Sequence, residues 1–323
     1  MEAAQQASAE VGTRPPSPFA APEVALPASQ RLDKARFDWS SIPLLLPAVV
    51  LLAVLFLGPV VYSFYLGLTN LTLIGPTSHH FSFTGTANLS RLIHDPVFPK
   101  SLYLTAIFVV GSGVVGATVL GLVLALAMQR AVRAVSGVVG IIVTVAFMLP
   151  PVTVALVWYA TSTGTLPALV GSPQSDFLQS LPLVVVSAAD TWSLTGLAML
   201  LFAAALRNIP REVIEYAELE NANAVQRLSK VVIPLLRPTI ITTVLLMTLL
   251  ALANFTVVYI MTAGGPGSAS MILPVYSYQQ AFSFDNLAYG ALIGNVTVVL
   301  AGIFSFLYAR LVRARAREAG GIT

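Results

Sequence analysis

The chain has 323 residues, is 56% hydrophobic and only 10% charged, and carries a formal charge of +3. A mean hydropathy of +0.83 excludes an ordinary soluble domain, and a sequence without cysteine excludes disulfides, thiol catalysis and cysteine-based metal sites. The basic excess does not call for nucleic acid, because Lys and Arg flank apolar blocks, where they act as topology signals.

Residues 1–40 are rich in Ala, Pro, Ser and Glu and show no apolar period. Such a segment cannot bury enough surface to offset its ordering entropy, so a disordered tail is expected. It lacks the basic start and short apolar run of a secretory signal, so the first span is expected to stay as an uncleaved anchor. Six apolar segments follow, at about 42–68, 102–128, 135–159, 183–206, 239–262 and 288–308. Each reaches the roughly 20 residues that cross a hydrocarbon core. Each must be helical, since lipid offers no partner to backbone N–H and C=O groups. The fold class is therefore all-α and integral to the membrane, with residues 41–313 as one six-span bundle and 314–323 as a short tail. Pro47 and Pro59 predict kinks in the first span, and Pro150–Pro151 predicts one in the third.

Orientation follows from Lys and Arg. Of the 17, only Arg91 and Lys100 fall on one side; the other 15 lie in the tail, after spans two and four, and at the C-terminus. That asymmetry puts both termini and the segment 208–238 in the cytoplasm. The outer segment from Thr69 to Lys100 holds His79, His80 and His94, which read as solvated loop residues, not as a metal site. The outer loops at 161–180 and 263–286 are short and nearly uncharged.

The segment 208–238 is the most charged stretch between spans. Asn208 and Pro210 read as a helix stop and restart, with Asn208 a good N-cap. Glu212 and Glu215 then sit where a helix dipole favours acids. Val213, Tyr216, Ala217 and Glu220 recur at helical spacing and give one apolar face. Asn221-Ala222-Asn223 signals a turn. A second amphipathic piece, "VQRLSKVVIPLLRP", follows, and Pro234 and Pro238 are expected to end it before span five. Composition alone suits two surface helices resting on lipid equally well as a docking element.

The spacing resembles the signature loop of permease subunits of binding-protein-dependent ABC importers: Glu-Ala-Ala, three residues, Gly, nine residues, an apolar residue, one further residue, Leu-Pro. Glu215-Tyr216-Ala217 stands at Glu-Ala-Ala, Glu220 where Asp is usual, Asn221 where Gly is usual, with Ala222 after it. Ile233-Pro234 supplies the terminal pair. Gly there suits a positive φ, which Asn tolerates next best. Elsewhere "FTGTANLSRLIHDPVFPKSLYLTAIF", "LPPVTVALVWY", "DTWSLTGLAMLLFAAALRNIPREV", "NFTVVYIMTAGGPG" and "YSYQQAFSFDNLAYGALIGNV" are similar to carbohydrate-uptake permeases of the maltose-permease F or glycerol-3-phosphate-permease A type.

The resemblance implies a type I ABC importer fold with a coupling-helix loop. It further implies a second homologous permease, two cytoplasmic ATP-binding subunits, an extracytoplasmic solute-binding (lipo)protein, and a place in a bacterial or archaeal inner membrane. Glu215, Ala217, Glu220, Asn221, Ala222 and Pro234 would meet the ATPase. ATP and Mg would be held by those partners, because the only Gly-rich run, 263–267, has no Lys and cannot serve as a phosphate loop.

Polar residues inside spans are functional candidates. Asp190, Trp192, Ser193, Asn254 and Tyr259 offer the carboxylate, amide and aromatic groups that grip sugars, and the resemblance places spans four and five along the central cavity. Asn295 is read as interhelical packing, as are Gly111, Gly113, Gly116 and Gly121. No Lys or Arg falls within a predicted span, which favours a neutral sugar. The competing classes are an ion-gradient-driven secondary transporter, which calls for internal repeats and buried coupling charges, and a non-transporting scaffold, which needs no docking loop.

Overall fold

The computed structural model describes residues 42–169 and 176–320. The predicted tail at 1–40 lies outside the described residues. Among the described residues there is no named strand, only an isolated bridge between Thr69 and Phe83. The chain separates into two compact units, Met1–Leu57 and Gly58–Thr323. In the first, α1 (Ile42–Leu52) runs into a widened π-type turn at Ala53–Leu57, and its large apolar side chains from Leu45 on are exposed, as lipid-facing residues are in a chain taken alone.

The second unit holds α2 (Gly58–Leu66), α3 (Ala87–His94), α4 (Val97–Phe108), α5 (Thr118–Arg130), α6 (Arg133–Met148), α7 (Pro151–Ala160), α8 (Pro182–Arg207), α9 (Arg211–Leu219), α10 (Ala224–Arg227), α11 (Ile233–Leu252), α12 (Thr256–Thr262), α13 (Leu273–Tyr278) and α14 (Leu287–Gly320). Six helical stretches are long and apolar enough to cross a membrane: Leu45–Gly67, Val97–Arg130, Pro151–Leu169, Pro182–Arg207, Ala224–Leu252 and Leu287–Arg310.

At the centre lies α8, with Val186, Ala189, Ala198, Met199 and Phe202 wholly buried. Small residues let its neighbours close in. A Cβ placed on Gly121 would fall 2.6 Å from that of Ala198, and one on Gly113 2.7 Å from the Met247 carbonyl. Gly111 does not share this role; it faces open space. Between α4 and α5 the chain widens into a π-type stretch at Val109–Ala117, and hydroxyls take up the carbonyls it displaces. Thr118 Oγ1 donates to the Gly113 carbonyl at 3.1 Å, and Thr191 Oγ1 donates to that of Ser112 at 3.3 Å. Asn295 and Ser63 bond reciprocally at 2.8 and 3.0 Å, which ties α2 to α14 by packing.

Three expectations need correction. The third segment is not one kinked helix over 135–159. Pro disfavours helical backbone in the residue before it, so Leu149 and Pro150 are extended, with ψ of 137° and 139°, and separate α6 from α7. The fifth segment likewise breaks at Ala253–Phe255, between α11 and α12. Pro234 and Pro238, by contrast, do not end the second loop helix. Pro234 occupies the first turn of α11, where its missing N–H is harmless, and a π-type turn at Leu228–Val232 leads into it. One apolar stretch therefore runs from Ala224 to Leu252.

Candidate functional site

The loop is built from its caps outward. Asn208 closes α8 as its C-cap instead of opening a helix; Pro210 stands at the N-cap of α9. Glu212 lies in the first turn of α9, where an acid suits the dipole. Among the described residues of α9 none is buried. Glu215 and Glu220 point into solvent, and Ala217 and Ala222 are half-buried. Tyr216 and Leu219 are 71% and 79% exposed, so an apolar patch stands open beside the carboxylates.

Asn221 takes φ 54°, the left-handed backbone of the turn between α9 and α10. The Ala222 N–H then donates back to the Ala217 carbonyl at 3.0 Å. Asn223 forms a reciprocal capping box with Gln226, at 2.9 and 3.0 Å, that starts α10. An ion pair from Arg227 to Glu218 ties the two helices together. The elbow thus holds its shape through its own bonds, and Pro234 lies exposed where the elbow joins the span.

The residues of spans four and five divide. Asp190 has no exposed surface. Asn254 Nδ2 donates to Asp190 Oδ1 at 2.5 Å, and Asn254 Oδ1 accepts from the Val257 N–H at 3.3 Å, within the break of the fifth span. Ser193 Oγ donates to the Asp190 carbonyl at 3.2 Å. Trp192 is two residues on from Asp190, about 200° round the helix, and is exposed. The structure therefore joins Asp190 to Asn254 and turns Trp192 away from both.

Tyr259 belongs to an aromatic ladder that the sequence reading did not assemble. Phe255, Tyr259, Tyr278 and Phe282 follow one another at centroid distances of 4.8 to 5.1 Å. The available signal was the spacing, since 255/259 and 278/282 are both i,i+4 pairs that share a helix face. Beside Tyr259 opens a cleft of about 290 Å³, lined also by Tyr159, Gln179, Thr262 and Pro266.

On the far side from the loop, Asp95 forms a clasp that sequence reasoning missed. Tyr276 and Tyr289 both donate to its Oδ2, the latter at 2.6 Å, and the Val97 N–H donates to Oδ1 at 2.9 Å. The Arg91 guanidinium lies 4.0 Å from the Tyr289 ring centroid. Burial pushes the Asp95 carboxyl up, but the two hydroxyls, the Val97 N–H and Arg91 outweigh it and hold the group below its ordinary value. Burial, reinforced by Asp95, pushes Tyr276 up to about 12. His94 Nδ1 lies 2.8 Å from the Ser90 carbonyl, and among the described residues no cluster of three His, Asp or Glu suits a metal.

A multi-pass helical bundle with an exposed, charged elbow before its fifth span defines a class of membrane permease. Residues 117–318 match the family described as binding-protein-dependent transport system inner membrane component, and the chain belongs to it. A probable ABC transporter permease protein of Pyrococcus horikoshii is 34% identical over 272 residues, covering 80% of this chain and 90% of the relative. The lactose transport system permease protein LacF of Rhizobium radiobacter is 31% identical over 288 residues, covering 83% and 92%. The trehalose transport system permease protein SugA of Mycobacterium tuberculosis is 27% identical over 277 residues, covering 84% and 88%. In fold, the chain is similar to a bacterial alginate ABC transporter solved with an alginate pentasaccharide-bound periplasmic protein. The TM-score is 0.71 at 16% identity, covering 86% of this chain and 95% of that one.

Proposed function

We propose that this permease carries a neutral sugar or sugar derivative from an extracytoplasmic binding protein into the cytoplasm of a bacterium or archaeon. It pairs with a second permease and with two ATP-binding subunits, which hold ATP and Mg. Both termini and the elbow at 208–238 lie in the cytoplasm, as the distribution of basic residues supports. The observation that carries the reading is the coincidence of family match and geometry: the signature loop falls on an elbow whose carboxylates are exposed together with Tyr216 and Leu219. Glu215 makes the ionic contact with the ATPase, and Ala217, Glu220, Asn221 and Ala222 shape the surface that enters it. Names of relatives that carry lactose and trehalose support a sugar.

On the route itself, the Tyr259 ladder supplies apolar ring faces and hydroxyls of the kind that cradle a sugar, with the neighbouring cleft as its approach. Trp192, exposed in the single chain, faces the second permease or the route between the two. Asp190, Ser193 and Asn254 stand behind this lining. The reading is tested by purifying the chain from its own host. An ATPase pair should co-purify, with ATP turnover that rises when the sugar-loaded receptor is added. Sugar transport driven by an ion gradient, with no ATPase attached, would overturn it.

A further inference from the structure

Two apolar segments of the bundle are interrupted, and both interruptions lie beside the same helix, α8. Gly196 of α8 abuts Val143 and Phe147, just before the break at Leu149–Pro150. Asp190 of the same helix meets Asn254 inside the break at Ala253–Phe255. Six residues of α8 separate these contacts, so at 1.5 Å per residue they are offset by about 9 Å along the α8 axis. Beyond them, α7 and α12 pack against each other. On the loop side, α11 joins the elbow through one helical stretch from Ala224 to Leu252, widened at the π-type turn Leu228–Val232. A push on the elbow thus travels along this stretch to Leu252 and meets a joint there.

That joint is held by a carboxyl with capacity to spare. Asp190 is wholly buried, and its Oδ2 has no hydrogen-bond partner among the described residues. A buried polar atom left without a partner is costly. The Ser112 hydroxyl faces the same carboxyl but donates to the Phe108 carbonyl at 2.7 Å. Ser112 is thus a second donor for the carboxyl if its bond to Phe108 is given up.

We propose that Asp190 is a positioning residue whose bond to Asn254 latches the break in the fifth span, holding α11 and α12 in their resting alignment until the elbow is driven. The inference rests on the importer reading, since the drive comes from the ATPase. It assigns Asp190 to the timing of the cycle, with no contact to the solute. A latch that favours the resting state lowers the population of the driven state in the absence of a signal.

The test uses the complete transporter, purified with its ATPase subunits in lipid nanodiscs, and reads ATP turnover with no receptor and no sugar. Asp190→Ala should raise this basal turnover about tenfold, the factor that 1.4 kcal/mol represents. Asp190→Asn keeps an acceptor for Asn254 Nδ2 and should stay within about twofold of the parent. The exchange Asp190→Asn with Asn254→Asp re-forms the bond with donor and acceptor reversed. It decides the matter if Asp190→Ala fails to assemble: basal turnover within about twofold of the parent supports the latch, and unlatched turnover or failed assembly overturns it. Basal turnover unchanged in an intact Asp190→Ala complex also overturns it. Failure of the importer reading itself looks different, because no ATPase then co-purifies with any variant, the parent included.

Discussion

The elbow and the Asp95 clasp both lie outside the apolar core of their spans, yet they treat their polar groups in opposite ways. On the clasp, one carboxylate gathers two tyrosine hydroxyls and a backbone N–H, with a guanidinium close by, from residues as far apart as Arg91 and Tyr289. On the elbow, Glu215 and Glu220 stand in solvent, and the only carboxylate tied down is Glu218, whose partner Arg227 serves the shape of the elbow itself. A group satisfied within the chain supports stability; a group left open on a rigid frame is available to a partner. Changes to the clasp should therefore appear in unfolding, and changes to the elbow in turnover.

The largest separation is expected for Glu215→Lys. It reverses one exposed charge and touches no internal bond, so melting should not move, while receptor-stimulated ATP turnover of the assembled transporter falls by more than about tenfold. Parent-like turnover would remove Glu215 from the contact. Asp95→Ala should do the reverse. It leaves two buried hydroxyls without their acceptor and should lower stability by about 2–3 kcal/mol, read by thermal melting in detergent.

The same carboxyl gives a pH signature. Its folded value is depressed, so its stabilisation is complete above the unfolded value near about 3.9 and is lost as pH falls through the folded value. Melting of the parent should show no pH dependence from this group between about pH 5 and 8 and should drop more steeply than that of Asp95→Asn below about pH 4. Identical slopes for the two proteins would contradict the clasp.

Asn223→Ala removes half of the capping box and should weaken the elbow by about 1 kcal/mol. Stimulated turnover should fall less than for Glu215→Lys, and melting of the bundle should not change. Asn221→Gly should have the smallest effect, because φ 54° suits glycine as well as asparagine. Stability within about 0.5 kcal/mol of the parent and unchanged turnover are expected, whereas Asn221→Val should disrupt the turn.

Much of this was legible in the sequence because the bilayer constrains it so strongly. An uncharged run such as 102–128 has one structural solution, and the stretch from Glu215 to Pro234 pointed to an elbow through its resemblance to the permease signature loop. The turn at Asn221 was readable for the same reason that glycine usually stands there. What escaped reading depends on context. Pro234 looks like a breaker, but proline is neutral in a first turn, and only the packing of α11 shows that it begins a helix there. The break at Ala253–Phe255 carries no proline or glycine; it is pinned by Asp190, 64 residues away. The clasp joins Asp95 to residues 181 and 194 positions later, and no periodicity reports such a pairing. Asp190 was legible as unusual, a lone acid inside a span, but its complete burial was not.

The contact of the elbow with a partner is open to one direct measurement. The chain has no cysteine, so Tyr216→Cys provides a single attachment point for a benzophenone maleimide on the exposed face of α9. Illumination of the assembled transporter should join this chain to the ATPase subunit. Cross-linking to lipid or to the extracytoplasmic receptor, with no ATPase adduct in an intact complex, would contradict the account.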